Sequence, residues 1–218
     1  MATVLPTDCL GERSPTLEAL AGRFPSLILV GSTGGGMWES IDARGFRSRP
    51  HPVDEHALAA LEALCEGLRP SFEARISWHA RCGEAAPVTE LGRVAGWAHR
   101  SPMGLGIHPV HGLWVAYRGV VLLDRAVPPQ TLPGAASPCS TCVDRPCVAA
   151  CPARAVGGPE GLDLDRCAPL RLAEGSACAD RCLARLACPL GRPSRPSLAQ
   201  IAHHHAASGR FLRSWTAP

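Results

Sequence analysis

The hydrophobic residues in the first 130 positions recur at two spacings, which predicts a mixture of strands and helices. Residues 25–30 are mostly apolar, and so short an apolar run is typical of a buried strand. In residues 72–79 apolar and polar side chains alternate, which predicts a half-buried strand. Apolar residues within Pro52–Leu68 instead recur at helical spacing, so this segment is predicted to be an amphipathic helix with an acidic first turn.

Three further elements are predicted before residue 130. Residues 87–97 have apolar side chains at helical spacing and form a second predicted helix. Residues 103–107 and 113–123 are apolar runs, and the glycine- and proline-containing residues 108–112 lie between them. This order predicts two strands joined by a turn.

The composition changes after these elements, which indicates a domain boundary. Residues 128–138 are rich in proline, glycine, alanine and serine, as is typical of a linker. We therefore predict an α+β fold with one domain over residues 1–130 and a cysteine-rich module over residues 131–196. Residues 197–218 are predicted to form a C-terminal helix, capped by Ser197, and a tail.

Eight of the eleven cysteines lie between positions 139 and 188, in two runs that each end in Cys-Pro. The first run contains Cys139, Cys142, Cys147 and Cys151, and the second contains Cys167, Cys178, Cys182 and Cys188. Bacterial ferredoxins close their cysteine runs with the same Cys-Pro pair and use four cysteines for each [4Fe–4S] cluster. The pattern predicts a module that holds two [4Fe–4S] clusters and transfers electrons one at a time.

Disulfides and zinc are the alternative uses for so many cysteines. Disulfides require an oxidising compartment, whereas the chain shows no signal peptide, so we expect a cytoplasmic protein. Structural zinc sites favour pairs of cysteines with two residues between them, and only Cys139 and Cys142 have that spacing. Adjacent histidines could also suggest a metal site. His203, His204 and His205 cannot share one helical face, however, so we expect them in a solvated tail and not in a metal site. Iron–sulfur is the favoured interpretation, although several gaps are longer than in the short ferredoxin run.

The order of the cysteines also predicts which of them share a cluster. In two-cluster ferredoxins the last cysteine of each run binds the other cluster. The first cluster would then be held by Cys139, Cys142, Cys147 and Cys188, and the second by Cys167, Cys178, Cys182 and Cys151. Because the two runs cross, neither would fold around its metal alone.

Charge and composition narrow the choice of partners. The formal net charge of +3 is too small to indicate nucleic-acid binding. All the basic side chains are arginines, which we attribute to coding bias and not to phosphate binding. No apolar stretch approaches the length of a membrane span, so no membrane partner is expected. Cys9, Cys65 and Cys82 lie outside the two runs, and Cys65 is expected to be a packed thiol on a helix face.

One segment of the N-terminal domain resembles a known family. Residues 105–114 read Leu-Gly-Ile-His-Pro-Val-His-Gly-Leu-Trp, and residues 115–123 continue as Val-Ala-Tyr-Arg-Gly-Val-Val-Leu-Leu. This is similar to the Ile-His-Pro-x-x-Gly-x-Trp segment of CblC-type cobalamin-processing proteins, which is also followed by Arg-Gly-Val-Val-Leu-Leu. Residues 52–54, Pro-Val-Asp, resemble the start of a helix in the same family.

The order of motifs also resembles that of epoxyqueuosine reductase, a cobalamin and iron–sulfur enzyme of tRNA queuosine synthesis. That family has an Asp-Ser-Ala-Pro-Val motif, a glycine-rich stretch, a His-Pro-x-x-Gly-x-Trp block and then a two-cluster ferredoxin module. In this chain residues 84–88 read Glu-Ala-Ala-Pro-Val and residues 95–97 read Ala-Gly-Trp, ahead of the His-Pro block and the cysteines. Glu84 therefore stands where that family has its proton-donating aspartate.

The resemblance implies a nitroreductase-like, corrinoid-binding α/β domain followed by a small ferredoxin-like module with two [4Fe–4S] clusters. It also implies that His108, Pro109, Gly112 and Trp114 line the corrinoid cleft and that Glu84 is catalytic. Structural alternatives stay open for these residues. The histidine could bond its own turn, the glycine could permit a positive φ, the tryptophan could pack in the core, and the glutamate could stabilise a helix start.

Two functions follow as hypotheses. The first is a corrinoid-dependent or corrinoid-processing reductase in which the clusters feed electrons to a cobalamin. The second is a plain electron-transfer ferredoxin whose N-terminal domain docks a partner. Either function needs a low-potential electron donor such as a flavodoxin, a ferredoxin or a reductase. The reductase would act on a corrinoid or another small molecule, and the resemblance keeps tRNA as a candidate although the charge does not favour nucleic acid.

Overall fold

The computed structural model describes residues 1–80, 82–83, 86–132, 134 and 136–215, without the side chains of residues 11–13, 16, 82, 83 and 215. The chain forms two compact units. The first consists of Met1–Ala98 and Val115–Ala135, and the second of His99–Trp114 and Ala136–Pro218. The sequence predicted a single boundary near residue 130. In the structure, residues 99–114 belong to the cysteine-rich unit as well. No helix in the described part of the chain has the length and apolar character needed to cross a membrane.

The first unit is built on a five-stranded antiparallel sheet with the strand order β1-β2-β7-β3-β4. Its strands are β1 (Ala2–Pro6), β2 (Ser26–Thr33), β3 (Ala74–His79), β4 (Cys82–Gly83) and β7 (Val115–Leu123). Its helices are α1 (Pro15–Ala21), α2 (Gly36–Ala43), α3 (Pro52–Leu68) and α4 (Val88–Val94), and a 3₁₀ helix spans Thr7–Arg13.

Both faces of this sheet are covered, and strand β2 shows why. Leu27 and Leu29 of β2 pack in one core cluster together with Leu91 of α4. Ile28, which points to the opposite face, packs in a second cluster with Leu61 of α3. A strand that is buried on both faces has apolar residues of both parities, so the prediction of a buried strand from residues 25–30 is confirmed.

Helix α3 begins and ends at the predicted residues, Pro52 and Leu68. Proline is favoured in the first helical turn because its missing N–H has no intrahelical partner there. The helix lies close to strand β7 at Gly119, where an added Cβ would meet Leu61 Cδ1 at 2.4 Å. Cys65 is buried on the same face, as the spacing predicts.

Strand β3 and helix α4 differ from the predictions in detail. In β3 the buried side chains are Ser77 and His79, whereas Ile76 and Trp78 are half-buried. The predicted strand is present, but the alternation does not mark a single buried face, because Ile76 packs in one core cluster and Trp78 in the other. The pairing of β3 with β7 is also irregular between Ile76 and Trp78. Helix α4 covers only Val88–Val94 of the predicted residues 87–97.

The second unit consists of short helices and two small antiparallel ribbons. Its strands are β5 (His99–Arg100), which pairs with β6 (Gly106–Ile107), and β8 (Val156–Gly158), which pairs with β9 (Gly161–Leu162). Its helices are α5 (Pro146–Ala149), α6 (Leu164–Leu172), α7 (Leu183–Ala187) and α8 (Leu198–Trp215), with 3₁₀ turns at Pro138–Ser140 and Arg192–Ser194. Met103, Ile107 and Leu113 pack with cysteines in its core.

Helix α8 is capped by Ser197, as predicted, because the Gln200 N–H donates to Ser197 Oγ at 3.2 Å. His203, His204 and His205 lie in this helix and not in a solvated tail, so that expectation is wrong. Arg171 of α6 donates to the His205 carbonyl oxygen at 2.7 Å and to Ser208 Oγ at 2.8 Å. His205 is half-buried as a result.

Candidate metal centre

Four of the predicted cysteine ligands surround one cavity of about 380 Å³ in the second unit, which we call the first cavity. These cysteines are Cys139, Cys142, Cys147 and Cys188. The rest of the lining is largely apolar and includes Pro138, Pro146 and Pro189. A metal group bound there would be held by thiolates in a mainly apolar surrounding.

Short local structures position these thiols. Cys139 lies in the 3₁₀ turn that Ser137 caps, where the Cys139 N–H donates to Ser137 Oγ at 3.3 Å. Cys147 lies in helix α5, which begins at Pro146. Cys188 comes directly after helix α7, and Pro189 follows it. Proline cannot continue a helix, so α7 ends before Cys188, and Pro189 and Leu190 continue the lining of the cavity.

The other four predicted ligands surround a separate cavity of about 240 Å³ in the same unit, which we call the second cavity. These cysteines are Cys151, Cys167, Cys178 and Cys182. Cys151 follows α5 and its sulfur accepts from the Ala155 N–H at 3.4 Å. Cys167 lies in α6, and Cys182 is the residue before the first turn of α7.

The thiols influence one another within each cavity. Burial raises the pKa of Cys139 above the ordinary thiol value, and the neighbouring thiol of Cys188 raises it further. Burial likewise raises the pKa of Cys167, and Cys182 adds to the effect. A metal binds thiolates and not thiols, so its binding would release protons from these cysteines.

The cysteines are arranged around a space and do not converge on a point. Among the described residues, no three His, Cys, Asp or Glu side chains come close enough together to hold a single metal ion. A cubane cluster is a larger body, with its irons at the corners, so its ligands surround a cavity. Four cysteines in the lining of each cavity are the donor set that one [4Fe–4S] cluster takes.

The predicted corrinoid residue His108 lies in a tight turn whose hydrogen bonds are local. Its backbone pairs with that of Gly112 in both directions, at 2.8 and 3.0 Å. Its Nδ1 accepts from the N–H groups of Val110 and His111 at 3.0 and 3.2 Å. Burial lowers the pKa of His108 to about 4, and His111 contributes further, so the ring is neutral at pH 7. Pro109 is half-buried in the same turn.

Gly112 and Trp114 are also committed to contacts inside the second unit. Gly112 has φ +58°, and an added Cβ would lie 2.3 Å from the Leu190 carbonyl oxygen. Trp114 is only 4% exposed, and the guanidinium carbons of Arg185 and Arg195 lie 4.3 and 5.8 Å from its ring centroid. Arg195 donates to the Leu186 carbonyl oxygen at 2.6 Å, which holds its guanidinium in place.

These contacts hold residues 108–114 in place within the second unit. In the first unit, a cavity beside α3 is lined by His56 and Arg118 among others, and its volume is about 170 Å³. Pockets for drug-sized ligands have volumes of about 300–1,000 Å³, so this cavity is too small for a corrinoid. Glu84 lies outside the described residues. The corrinoid role of residues 108–114 and the catalytic role of Glu84 therefore stay predictions.

Sequence reasoning missed the polar residues that line the second cavity, among them Arg171, Arg185 and His205. A local signal exists only for Arg185, which follows Cys182 by three residues and so falls one helical turn after it. Arg171 and His205 reach the cavity through the packing of α6 against α8, which no local pattern indicates.

No family model matches the chain, and no curated protein matches it. Among solved structures, epoxyqueuosine reductase with a tRNA-Tyr epoxyqueuosine-modified stem loop has a TM-score of 0.57 and 15% identity, covering 93% of this chain and 64% of that one. The Bacillus subtilis epoxyqueuosine reductase has a TM-score of 0.53 and 14% identity, covering 91% of this chain and 63% of that one. The C. elegans B12-trafficking protein CblC has a TM-score of 0.49 and 16% identity, covering 99% of this chain and 89% of that one.

The chain thus spans just under two thirds of the length of the reductase structures that it resembles. It shares their mixed α and β fold. This agrees with the predicted α+β class at the level of the fold.

Proposed function

We propose that this protein is an iron–sulfur redox protein that holds two [4Fe–4S] clusters, one in each cysteine cavity. The observation that carries this proposal is the sorting of eight cysteines into two sets of four around two cavities. Each set takes three cysteines from one run and one from the other, Cys188 in the first cavity and Cys151 in the second. Two-cluster ferredoxins use the same crossed order.

The cysteines and the apolar linings have separate roles in this proposal. Thiolates hold each cluster, which when bound supplies a site that accepts and releases one electron at a time. Pro138 and Pro146 are half-buried in the lining of the first cavity, where they would cover part of a bound cluster. Solvent exposure is one of the factors that set cluster potential, so the linings would favour a low potential.

An electron carrier of this kind needs a donor and an acceptor. A low-potential flavodoxin, ferredoxin or reductase would give up one electron, and the protein would deliver that electron to its acceptor. A two-electron reduction of the acceptor would take two such transfers, and any protons would come from acidic side chains or water.

Electron paramagnetic resonance of the anaerobically purified protein tests this proposal. Dithionite should reduce the clusters and produce signals typical of reduced [4Fe–4S] centres, whereas a zinc protein would stay silent. Cys65→Ala is the matched control, because Cys65 is a buried thiol on helix α3 and lines neither cysteine cavity. It should leave the signals unchanged. Silence of the wild-type protein after dithionite would contradict the proposal.

A second candidate is a corrinoid-dependent reductase in which the clusters supply electrons to a bound cobalamin. It is favoured by the fold likeness to epoxyqueuosine reductase over 93% of this chain and by the His-Pro-x-x-Gly-x-Trp block at residues 108–114. The tRNA stem loop bound by that reductase makes a modified nucleoside in RNA a candidate substrate. Glu84 would then donate a proton, a contribution that is typically worth about 10²–10⁴-fold in rate.

An anaerobic cobalamin titration separates the two candidates. The reductase should bind cobalamin with a micromolar or tighter dissociation constant, about −8 kcal/mol or better, and should shift the cobalamin spectrum. Glu84→Gln should keep that spectral shift and the iron content while it slows turnover. The absence of any spectral shift would leave the electron carrier as the function.

A further inference from the structure

The two cysteine cavities differ in the charge that surrounds them. Arg145, whose side chain is exposed, is the charged residue besides the cysteines in the lining of the first cavity. The lining of the second cavity contains three arginines and a histidine: Arg171, Arg181, Arg185 and His205. Neither lining includes an Asp or Glu among the described residues.

Arg185 is a half-buried cation without a carboxylate partner among the described residues. Its Nη2 donates to the Leu113 carbonyl oxygen, and its guanidinium stacks 4.3 Å from the Trp114 ring centroid. Its Nε is buried and has no hydrogen-bond partner among those residues. Burial lowers the pKa of Arg185, as expected for a cation removed from water, but an arginine stays charged at any ordinary pH.

The other two arginines of the second cavity differ from each other. Arg181 lies at the surface and pairs with Asp180, with Nε to Oδ1 at 2.6 Å and Nη2 to Oδ2 at 2.7 Å. Its charge is therefore largely compensated. Arg171 instead donates to a carbonyl oxygen and a hydroxyl, so its charge is not compensated by these contacts. Arg185 and Arg171 together leave the second cavity with uncompensated positive charge.

We propose, resting on the proposed function, that Arg185, assisted by Arg171, raises the reduction potential of the cluster in the second cavity above that of the cluster in the first. Reduction adds one negative charge to a cluster, and a half-buried cation beside it stabilises the reduced form. Coulomb interactions are stronger in a buried site than in water, and local charge is a recognised determinant of cluster potential. An electron that enters at the first cluster would thus move downhill to the second.

A potentiometric titration followed by electron paramagnetic resonance tests this proposal on the full chain. Arg185→Gln should lower the equilibrium constant for one-electron reduction of one cluster by about tenfold or more, which corresponds to about 59 mV for a one-electron couple. The affected cluster should be the one with the higher potential in the wild-type protein. Arg181→Gln is the matched control from the same cavity, and it should change the equilibrium constant of either cluster by less than tenfold, because Arg181 and Asp180 are both partly exposed and water screens their charges. Arg185→Lys keeps the charge and should restore the wild-type potential.

Each outcome decides the proposal. The proposal is overturned if Arg185→Gln changes the equilibrium constant for reduction by less than tenfold, or if it changes that of the lower-potential cluster. It is also overturned if Arg181→Gln changes the equilibrium constant as much as Arg185→Gln does. If Arg185→Gln loses iron, Arg171→Gln decides by the same criterion, because Arg171 lines the same cavity. The absence of iron–sulfur signals from the wild-type protein would instead refute the proposed function, so the two failures are distinguishable.

Discussion

Replacing Gly112 with alanine should destabilise the second unit, because two separate costs fall on this residue. Gly112 has φ +58°, and an L residue in the left-handed region costs roughly 1–2 kcal/mol. Its added Cβ would also lie 2.3 Å from the Leu190 carbonyl oxygen and 2.8 Å from the carbonyl carbon. Backbone atoms cannot move aside as a flexible side chain can, so overpacking should add roughly 1–3 kcal/mol. The combined loss should be about 2–5 kcal/mol.

Two glycines of the same unit separate these costs. Gly175 has φ +69° with no atom within 4 Å of an added Cβ, so Gly175→Ala should lose only the backbone contribution. Gly158 has neither a positive φ nor a close neighbour, so Gly158→Ala should be nearly neutral. The assay is anaerobic urea unfolding of variants with equal iron content, compared by their midpoints at constant m value. If Gly112→Ala is no more destabilising than Gly175→Ala, the close approach to Leu190 is not what requires glycine.

Three further predictions address the clusters and the first unit. Cys188→Ala should abolish the cluster signal of the first cavity and Cys151→Ala that of the second, and loss of the same signal from both variants would contradict the crossed assignment. Leu61 lies on the buried face of helix α3 and is 1% exposed, so Leu61→Ala should lower the free energy of unfolding by about 2–5 kcal/mol in urea; an unchanged midpoint would refute this packing. Burial and the charge of Asp8 raise the pKa of Cys9 to about 11, so its thiol should react slowly with iodoacetamide at pH 8 and faster as the pH rises towards that value. Alkylation of Cys9 at pH 8 as fast as a free cysteine would contradict its burial.

Local patterns were sufficient to predict helix α3 and strand β2. Helix α3 combines a proline in its first turn, an acidic start and apolar residues on one side, so its bounds follow from the sequence. Strand β2 is an interior strand, with β1 on one side and β7 on the other, and its apolar run reflects burial on both faces of the sheet. The grouping of the cysteines could also be anticipated, because the ferredoxin rule depends on their order and not on the lengths of the loops between them.

Long-range packing determined what the sequence did not predict. His111 Nδ1 lies 2.8 Å from Ser194 Oγ, a contact that places the turn at residues 108–112 in the second unit. Two residues 83 positions apart leave no joint signal in hydrophobic periodicity. The same holds for His205, which reaches the second cavity through helix α8. The burial of Ser77 likewise depends on what covers the sheet and not on strand β3 itself.

Iron and acid-labile sulfide content of the anaerobically purified protein tests the central claim most directly. Two [4Fe–4S] clusters predict about eight irons and about eight sulfides per chain, since each cluster contains four of each. The sample should be brown, and iron and sulfide should be lost together when a chelator removes the metal under oxidising conditions. A chain that carries zinc without sulfide, or no metal at all after anaerobic reconstitution with iron and sulfide, would contradict the account.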